Sequence, residues 1–348
     1  MMLSLIFFFL VSLLVASAIP KHYRRAVFVL ISIIFFILTN ESREVIMYSA
    51  LIASNILLLL FLSKTPIKKF KFLVFFPLIY AFGLISLNHS HFSARVFGWS
   101  YIVLAASAHL YEVLVGDRVS FRSWIKEHIF LVMSYPKTSM GPIDLGRNLP
   151  DIHGSWDKGG LRFLKGLLKV GILLYVFRTY IPKPVIDDAQ RFLVVPYFLL
   201  GLWHYVNLYL EFSGVIDLVL GIFLVWGIEL KENFRSPWGA VTIADFWRRW
   251  HMTLGSWIMQ YVYIPLGGNR KGFVRQVLNL ICAMILCGLW HGATKNFILW
   301  GAVQGVGLSA EKIMKHFDIG YERMPQVITW TITQVFVVFS WVIFFNWK

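Results

Sequence analysis

Long apolar runs separated by short polar connections dominate the chain. They cover residues 3–19, 26–38, 45–62, 72–87, 96–115, 192–210, 215–230, 274–290, 297–308 and 327–345. An α-helix rises about 1.5 Å per residue, so crossing a hydrocarbon layer of about 30 Å takes about 20 residues. Several runs have that length, and the shorter ones can be tilted or buried among neighbours, where mismatch with the bilayer costs little. A further stretch, 161–180, is a poorer span because Arg162, Lys165, Lys169 and Arg178 interrupt it. The pattern predicts an all-α, polytopic membrane protein with about ten to twelve membrane-embedded helices. Phe212-Ser213-Gly214 reads as a bend between two helices, with Glu211 and Asp217 capping helix ends or facing water at its flanks. No repeat or long linker divides the chain, so 1–348 is expected to form a single transmembrane domain.

Beyond residue 230 the rhythm changes. Residues 231–237 (KENFRSP) form a polar connection, and 238–272 is too polar and too rich in tryptophan for an ordinary span. Phe246, Trp250, Leu254, Trp257, Ile258 and Tyr261 recur at helical spacing, while Arg248, Arg249 and Thr253 fall elsewhere on the wheel. This predicts one amphipathic helix that lies in the interface or re-enters the membrane, ended by Pro265, Gly267 and Gly268.

Composition supports the membrane reading. The chain is 58% hydrophobic and 15% charged, with 31 Phe, 14 Tyr and 14 Trp; soluble globular chains run at about 45–50% and 25%. Disordered proteins, disulfide-rich secreted modules and water-soluble enzymes are excluded. Charge adds an orientation. Lys and Arg outnumber Asp and Glu by 33 to 18, a net charge of +15, but the surplus sits between apolar runs rather than on a face suited to nucleic acid. Basic clusters at 21–25, 64–71 and 117–126 place those connections in the cytoplasm and the N-terminus outside. Ala16-Ser17-Ala18 looks like a signal-peptidase site, but no basic segment precedes the first run, so a retained helix is expected. Cys282 and Cys287 fall on different faces of one helix, and neither a metal nor a disulfide role is expected.

Ionisable groups within apolar runs are expensive and mark candidate chemistry. Here they are His109, Glu112, His204, Glu211, Asp217, His251 and His291. His109 and Glu112 can pair on one helix face, and His204 sits between Trp203 and Tyr205 where interfacial side chains collect. His291 differs. It ends the apolar helix that begins near residue 274, Gly288 and Gly292 permit close approach, and Trp290 offers an apolar wall. A neutral imidazole in a dry setting is the form a general base needs. His251 stands in a second tryptophan-rich unit with Trp247 and Trp250; a base paired with an orienting histidine is one reading, and two structural histidines the other. Residues 267–272 (GGNRKG) read as a basic cytoplasmic turn, with a phosphate cradle as the alternative.

The blocks 245–254 (DFWRRWHMTL), 261–270 (YVYIPLGGNR) and 288–292 (GLWHG) resemble the membrane-bound O-acyltransferase family. Residues 207–214 (NLYLEFSG), Asp217 and 232–237 (ENFRSP) match the segment leading into them, and 135–143 (YPKTSMGPI) is similar more weakly. The resemblance covers roughly 200–310 and extends back towards 95.

The resemblance implies a many-helix fold around a central tunnel through the bacterial cytoplasmic membrane. His291 then matches the catalytic histidine and His251 a second, supporting one. Trp290, Trp250, Trp247 and Asn279 would line or support the tunnel, and Arg270 and Lys271 would attract the phosphates of a donor. The implied reaction moves an acyl group from a thioester to a hydroxyl, with no bound cofactor or metal. Residues 263–272 (YIPLGGNRKG) carry the wording of the polysaccharide acetylase branch, which implies acetyl-CoA as donor and O-acetylation of a surface polysaccharide or peptidoglycan. The short segment after His291 is more like the teichoic acid D-alanyltransferase branch, whose donor is an acyl carrier protein thioester. Both branches imply an extracytoplasmic partner protein that accepts the acyl group. A non-enzymatic transporter or scaffold is the remaining class; the presence of both histidines stands against it.

Overall fold

A computed structural model describes residues 2–40, scattered positions between 42 and 60, and residues 99–115, 121–143, 155–186, 193–320 and 323–346. Among them the chain is helical throughout, without an extended strand. Among the described residues the α-helices of five residues or more are α1 (Met2–Ala18), α2 (Arg24–Thr39), α3 (Trp99–Val115), α4 (Phe121–Val132), α5 (Trp156–Leu167), α6 (Leu174–Tyr180), α7 (Val194–Val225), α8 (Ile243–Trp247), α9 (Met252–Ile258), α10 (Phe273–His291), α11 (Lys295–His316) and α12 (Gln326–Asn346). Among the described residues, four segments are long and apolar enough to cross a membrane: Lys21–Thr39, Val194–Val225, Phe273–His291 and Gln326–Phe345. The runs 45–62 and 72–87 and the basic connection 64–71 lie outside the described residues, apart from scattered positions in the first.

The chain divides into two compact units, Met1–Leu167 with Val215–Lys231, and Leu168–Gly214 with Glu232–Lys348. In the first, Phe28 of α2 is fully buried against Phe8, Phe130, Phe223 and Trp226. Also in this unit, His109 meets His128 at 3.2 Å and lies 3.7 Å from Glu127. Both of these groups belong to α4; the side chain of Glu112, the partner expected on its own helix, lies outside the described residues.

Two expectations are corrected. The bend at Phe212-Ser213-Gly214 is absent, because α7 runs unbroken for 32 residues. The cationic stretch before it accounts for this. Arg162 reaches Asp217 at 2.6 Å, Lys169 donates to the Ser213 hydroxyl at 3.1 Å, and Arg178 donates to Asn207 and Glu211 at 2.7 Å each. Glu211 and Asp217 are thus ion-pair partners along the helix, not caps at a bend. A side chain at Gly214 would collide with Val170, so this glycine serves close helix packing rather than a turn.

The second correction concerns 246–261. Its apolar stripe is buried within the protein, with Phe246, Trp250, Leu254, Trp257 and Tyr261 each at 3% exposure or less. The helix is broken, however. Thr242 caps α8 by accepting from the Asp245 N–H, the chain turns through Arg248–Trp250, and His251 adopts a left-handed backbone with φ +43° before α9 begins. A π-helical turn, Met259–Tyr263, and the loop through Gly267 and Gly268 complete the segment.

Candidate functional site

His251 and His291 are both in the second unit and reach the site by different routes. His291 is the last residue of α10, and Gly292 ends the helix with φ +153°. Three residues earlier, Gly288 permits α11 to cross: a Cβ there would lie 2.0 Å from the Phe297 carbonyl oxygen. The reciprocal contact is Gly301, whose Cβ would lie 2.3 Å from the Met284 carbonyl oxygen. Close backbone approach through small residues is a common way to join helices in membranes. It fixes where His291 emerges.

His251 is held by the polar connection before α8. Asn233, fully buried, accepts from the Met252 N–H at its backbone carbonyl, and from the Thr253 N–H and hydroxyl at its side-chain oxygen. Arg235 N–H donates to the Arg249 carbonyl. These bonds clamp both sides of His251 and keep a non-glycine residue in a conformation that costs about 1–3 kcal/mol and recurs at functional sites. His251 lies outside the four spanning segments and is 2% exposed. Burial, and secondarily His291, push its pKa well below the usual histidine range, so its imidazole is neutral at physiological pH.

Trp290 connects the two histidines. Its ring lies edge-on to His251 at 5.8 Å between centroids and to His291 at 4.5 Å. Phe212 packs on the other ring of this set, 4.8 Å from His251. Around half-buried His291 stand Phe344 at 4.9 Å, Trp300 at 5.5 Å and Phe297 at 5.9 Å. The result is a pair of imidazoles in an aromatic enclosure, suited to proton transfer at a reactant that must be shielded from water.

The other expected residues are placed differently. Trp250 is buried between Phe234 and Trp341, at 5.0 and 5.1 Å. Trp247 packs 5.8 Å from Trp300 and donates its indole N–H to Gln304 at 3.1 Å. Both therefore support the enclosure from behind. Asn279 is buried but does not join the histidines: its amide donates to the Gly268 carbonyl at 3.2 Å. Arg270 and Lys271 are exposed in the turn before α10. A separate cavity of about 540 Å³ lies along α11 and α12, and its Glu311 carboxylate accepts from the Ile243 and Ala244 N–H groups at the start of α8. His204, stacked 4.3 Å from Phe345, is buried. The sequence reading passed over Asn233, Phe212, Trp300, Trp341 and Phe344. Three of these, Trp300, Trp341 and Phe344, sit inside runs read only as membrane spans, where an aromatic looks like ordinary apolar filling; Phe212 lay in the expected bend, and Asn233 within a motif whose role was unread.

The sequence model of the membrane-bound O-acyltransferase family matches residues 161–346, which contain both histidines and every aromatic residue of the enclosure. The chain belongs to the membrane-bound O-acyltransferase family. Among curated O-acyltransferases it is similar to the probable alginate O-acetylase of Pseudomonas syringae pv. tomato, 34% identical over 71% of this chain and 48% of that protein. It is also similar to the peptidoglycan O-acetyltransferase of Helicobacter pylori, 40% identical over 45% of this chain and 30% of that enzyme. A third similarity is to the teichoic acid D-alanyltransferase of Bacillus subtilis, 26% identical over 62% of this chain and 59% of that protein. The matched region thus spans about half the length of the alginate O-acetylase.

Proposed function

We propose that this protein transfers an acetyl group from a cytoplasmic thioester, acetyl-CoA, to a hydroxyl, serving O-acetylation of a cell-surface polysaccharide or peptidoglycan through an extracytoplasmic partner protein. The observation that carries the reading is the apposition of His251 and His291 on one indole, Trp290, within the matched region. His291 acts as general base. It takes the proton of the acceptor hydroxyl as that oxygen attacks the thioester carbonyl; the carbon–sulfur bond then breaks, and the thiolate leaves with the proton His291 held. The thioester is already activated, so positioning and exclusion of water supply most of the rest. Neutral His251, clamped through its neighbours by Asn233, orients a reactant across Trp290. The topology is multi-pass in the bacterial cytoplasmic membrane with the N-terminus outside, which puts Arg270 and Lys271 on the donor side.

The second reading is D-alanyl transfer from a carrier protein. The match to the Bacillus subtilis D-alanyltransferase, which covers a larger share of its relative than the alginate match does, favours it. Protein reconstituted in lipid vesicles and offered labelled acetyl-CoA or D-alanyl carrier protein separates the two. Consumption of acetyl-CoA above the vesicle background is expected. Consumption of the carrier thioester alone would replace the first reading with the second, and consumption of neither would overturn both.

A further inference from the structure

Three aromatic residues of the second unit form a column beside His291. Tyr205 of α7 stacks on Trp341 of α12 at 6.5 Å and 23°, Trp341 stacks on Trp300 of α11 at 5.9 Å and 29°, and Trp300 meets His291 edge-on at 5.5 Å. All three are buried. Among the described residues, the Trp300 and Trp341 indole nitrogens and the Tyr205 hydroxyl have no hydrogen-bond partner. Three less buried indoles of the same unit are treated otherwise. Trp247 donates to Gln304, which in turn donates to Ser340; Trp203 donates to the Ile181 carbonyl, and Trp330 to the Trp238 carbonyl. These three indoles have acceptors in the same unit, and, among the described residues, the two in the column have none.

A buried donor left unsatisfied costs about 1–3 kcal/mol, and far from water the cost is not relieved by solvent. Phenylalanine would fill the same positions without it. Donors retained at that cost, in a line ending at a candidate general base, are placed for acceptor atoms that arrive with a substrate. The acceptor nearest a base in acyl transfer is the carbonyl oxygen that gains negative charge as the hydroxyl attacks. Preorganised donors aimed at that oxygen are commonly the largest single contribution to such catalysis.

We infer that Trp300 donates its indole N–H to the carbonyl oxygen of the acyl group under transfer, and that Trp341 and Tyr205 donate to acceptor atoms farther along the same substrate. The inference rests on the acyl-transfer reading of the His251 and His291 site and deepens it. It gives the column a division of labour: Trp300 acts on the reacting carbonyl, while Trp341 and Tyr205 hold the substrate without touching the charge that develops.

The test uses the full chain in lipid vesicles, with labelled acetyl-CoA and D-alanyl carrier protein as parallel donors and an envelope fraction as acceptor. Trp300→Phe is expected to lower kcat by about 10²–10³-fold with little change in KM, the usual loss on removing one such donor. Trp341→Phe and Tyr205→Phe are expected to raise KM about tenfold and leave kcat near wild type. A purely structural role would show no such split between kcat and KM. Because Phe leaves space that can unsettle the column, position 300 is also filled with benzothienylalanine, which keeps the bicyclic shape and replaces N–H with sulfur. The same loss of kcat is expected. Wild-type kcat with benzothienylalanine would overturn the assignment. His291→Ala in the same assay keeps the two claims apart. If it abolishes transfer while the position-300 variants remain fully active, the base stands and the donor falls; if it leaves transfer intact, the acyl-transfer site itself falls.

Discussion

His251 is the residue whose backbone and side chain both carry information. It occupies left-handed space at φ +43°, buried and neutral between Phe212 and Trp290. The sign of its pH dependence follows. Its folded-state pKa lies below the value of about 6.5 it has when unfolded, so the unfolded chain binds the extra proton first, and stability is lost as pH falls below about 6.5. A thermal midpoint measured in detergent should fall as the solution is acidified from pH 7 towards 5. The underlying loss approaches, from this group alone, about 1.4 kcal/mol per pH unit. His251→Gln should flatten that dependence, and an unchanged slope would show that the group does not titrate on unfolding. The sequence made His251 visible through its setting between tryptophans, but not its backbone. Nothing in DFWRRWHMTL marks a left-handed residue, because the conformation is imposed by Asn233 from outside the helical pattern.

The elements show the same division. Apolar periodicity identified the stripe from Phe246 to Tyr261, but neither its burial within the protein nor the break that turns one helix into two. It located the runs 192–210 and 215–230 but joined them by a bend, since Ser213-Gly214 reads as a turn until Lys169, Arg162 and Arg178 are seen to satisfy the polar side of a continuous α7. These cations, which made 161–180 look like a failed span, are the ladder that binds it to α7. Arg162→Met should therefore destabilise the protein by about 3–5 kcal/mol, since it removes the closest charge from buried Asp217. Urea or thermal denaturation in detergent would measure this, and a loss below about 0.5 kcal/mol would mean the pair has the weight of a surface contact. At the α10–α11 crossing, Gly288→Ala sets a methyl against the Phe297 carbonyl. Overpacking of that kind costs about 1–3 kcal/mol. Because His291 lies three residues on, transfer activity should fall by more than the folded fraction does. Activity that follows the folded fraction would show that the crossing does not position the histidine.

For the whole molecule, the amino-acid pattern disclosed the solvent before it disclosed the chemistry. Few charges, many aromatics and apolar runs of membrane length suffice for an all-α membrane protein, because only segments that satisfy their own backbone can cross a bilayer. The site was only partly legible. Its two histidines stand out because ionisable groups are rare in such a chain, whereas Trp300, Trp341 and Phe344 are indistinguishable in sequence from lipid-facing residues and become distinctive only when packed around His291. The basic surplus has a testable use at this scale. Replacing exposed Arg270 and Lys271 with Gln should raise KM for acetyl-CoA about threefold to tenfold at low salt, with the difference shrinking as ionic strength rises. A KM that does not move would limit these residues to topology. The central claim is tested most directly by His291→Ala, expressed in cells that lack the native gene product and scored for O-acyl esters on the envelope polymer, with membrane insertion checked in parallel. The account predicts normal insertion with ester content reduced to background; wild-type ester content in the inserted variant would contradict it.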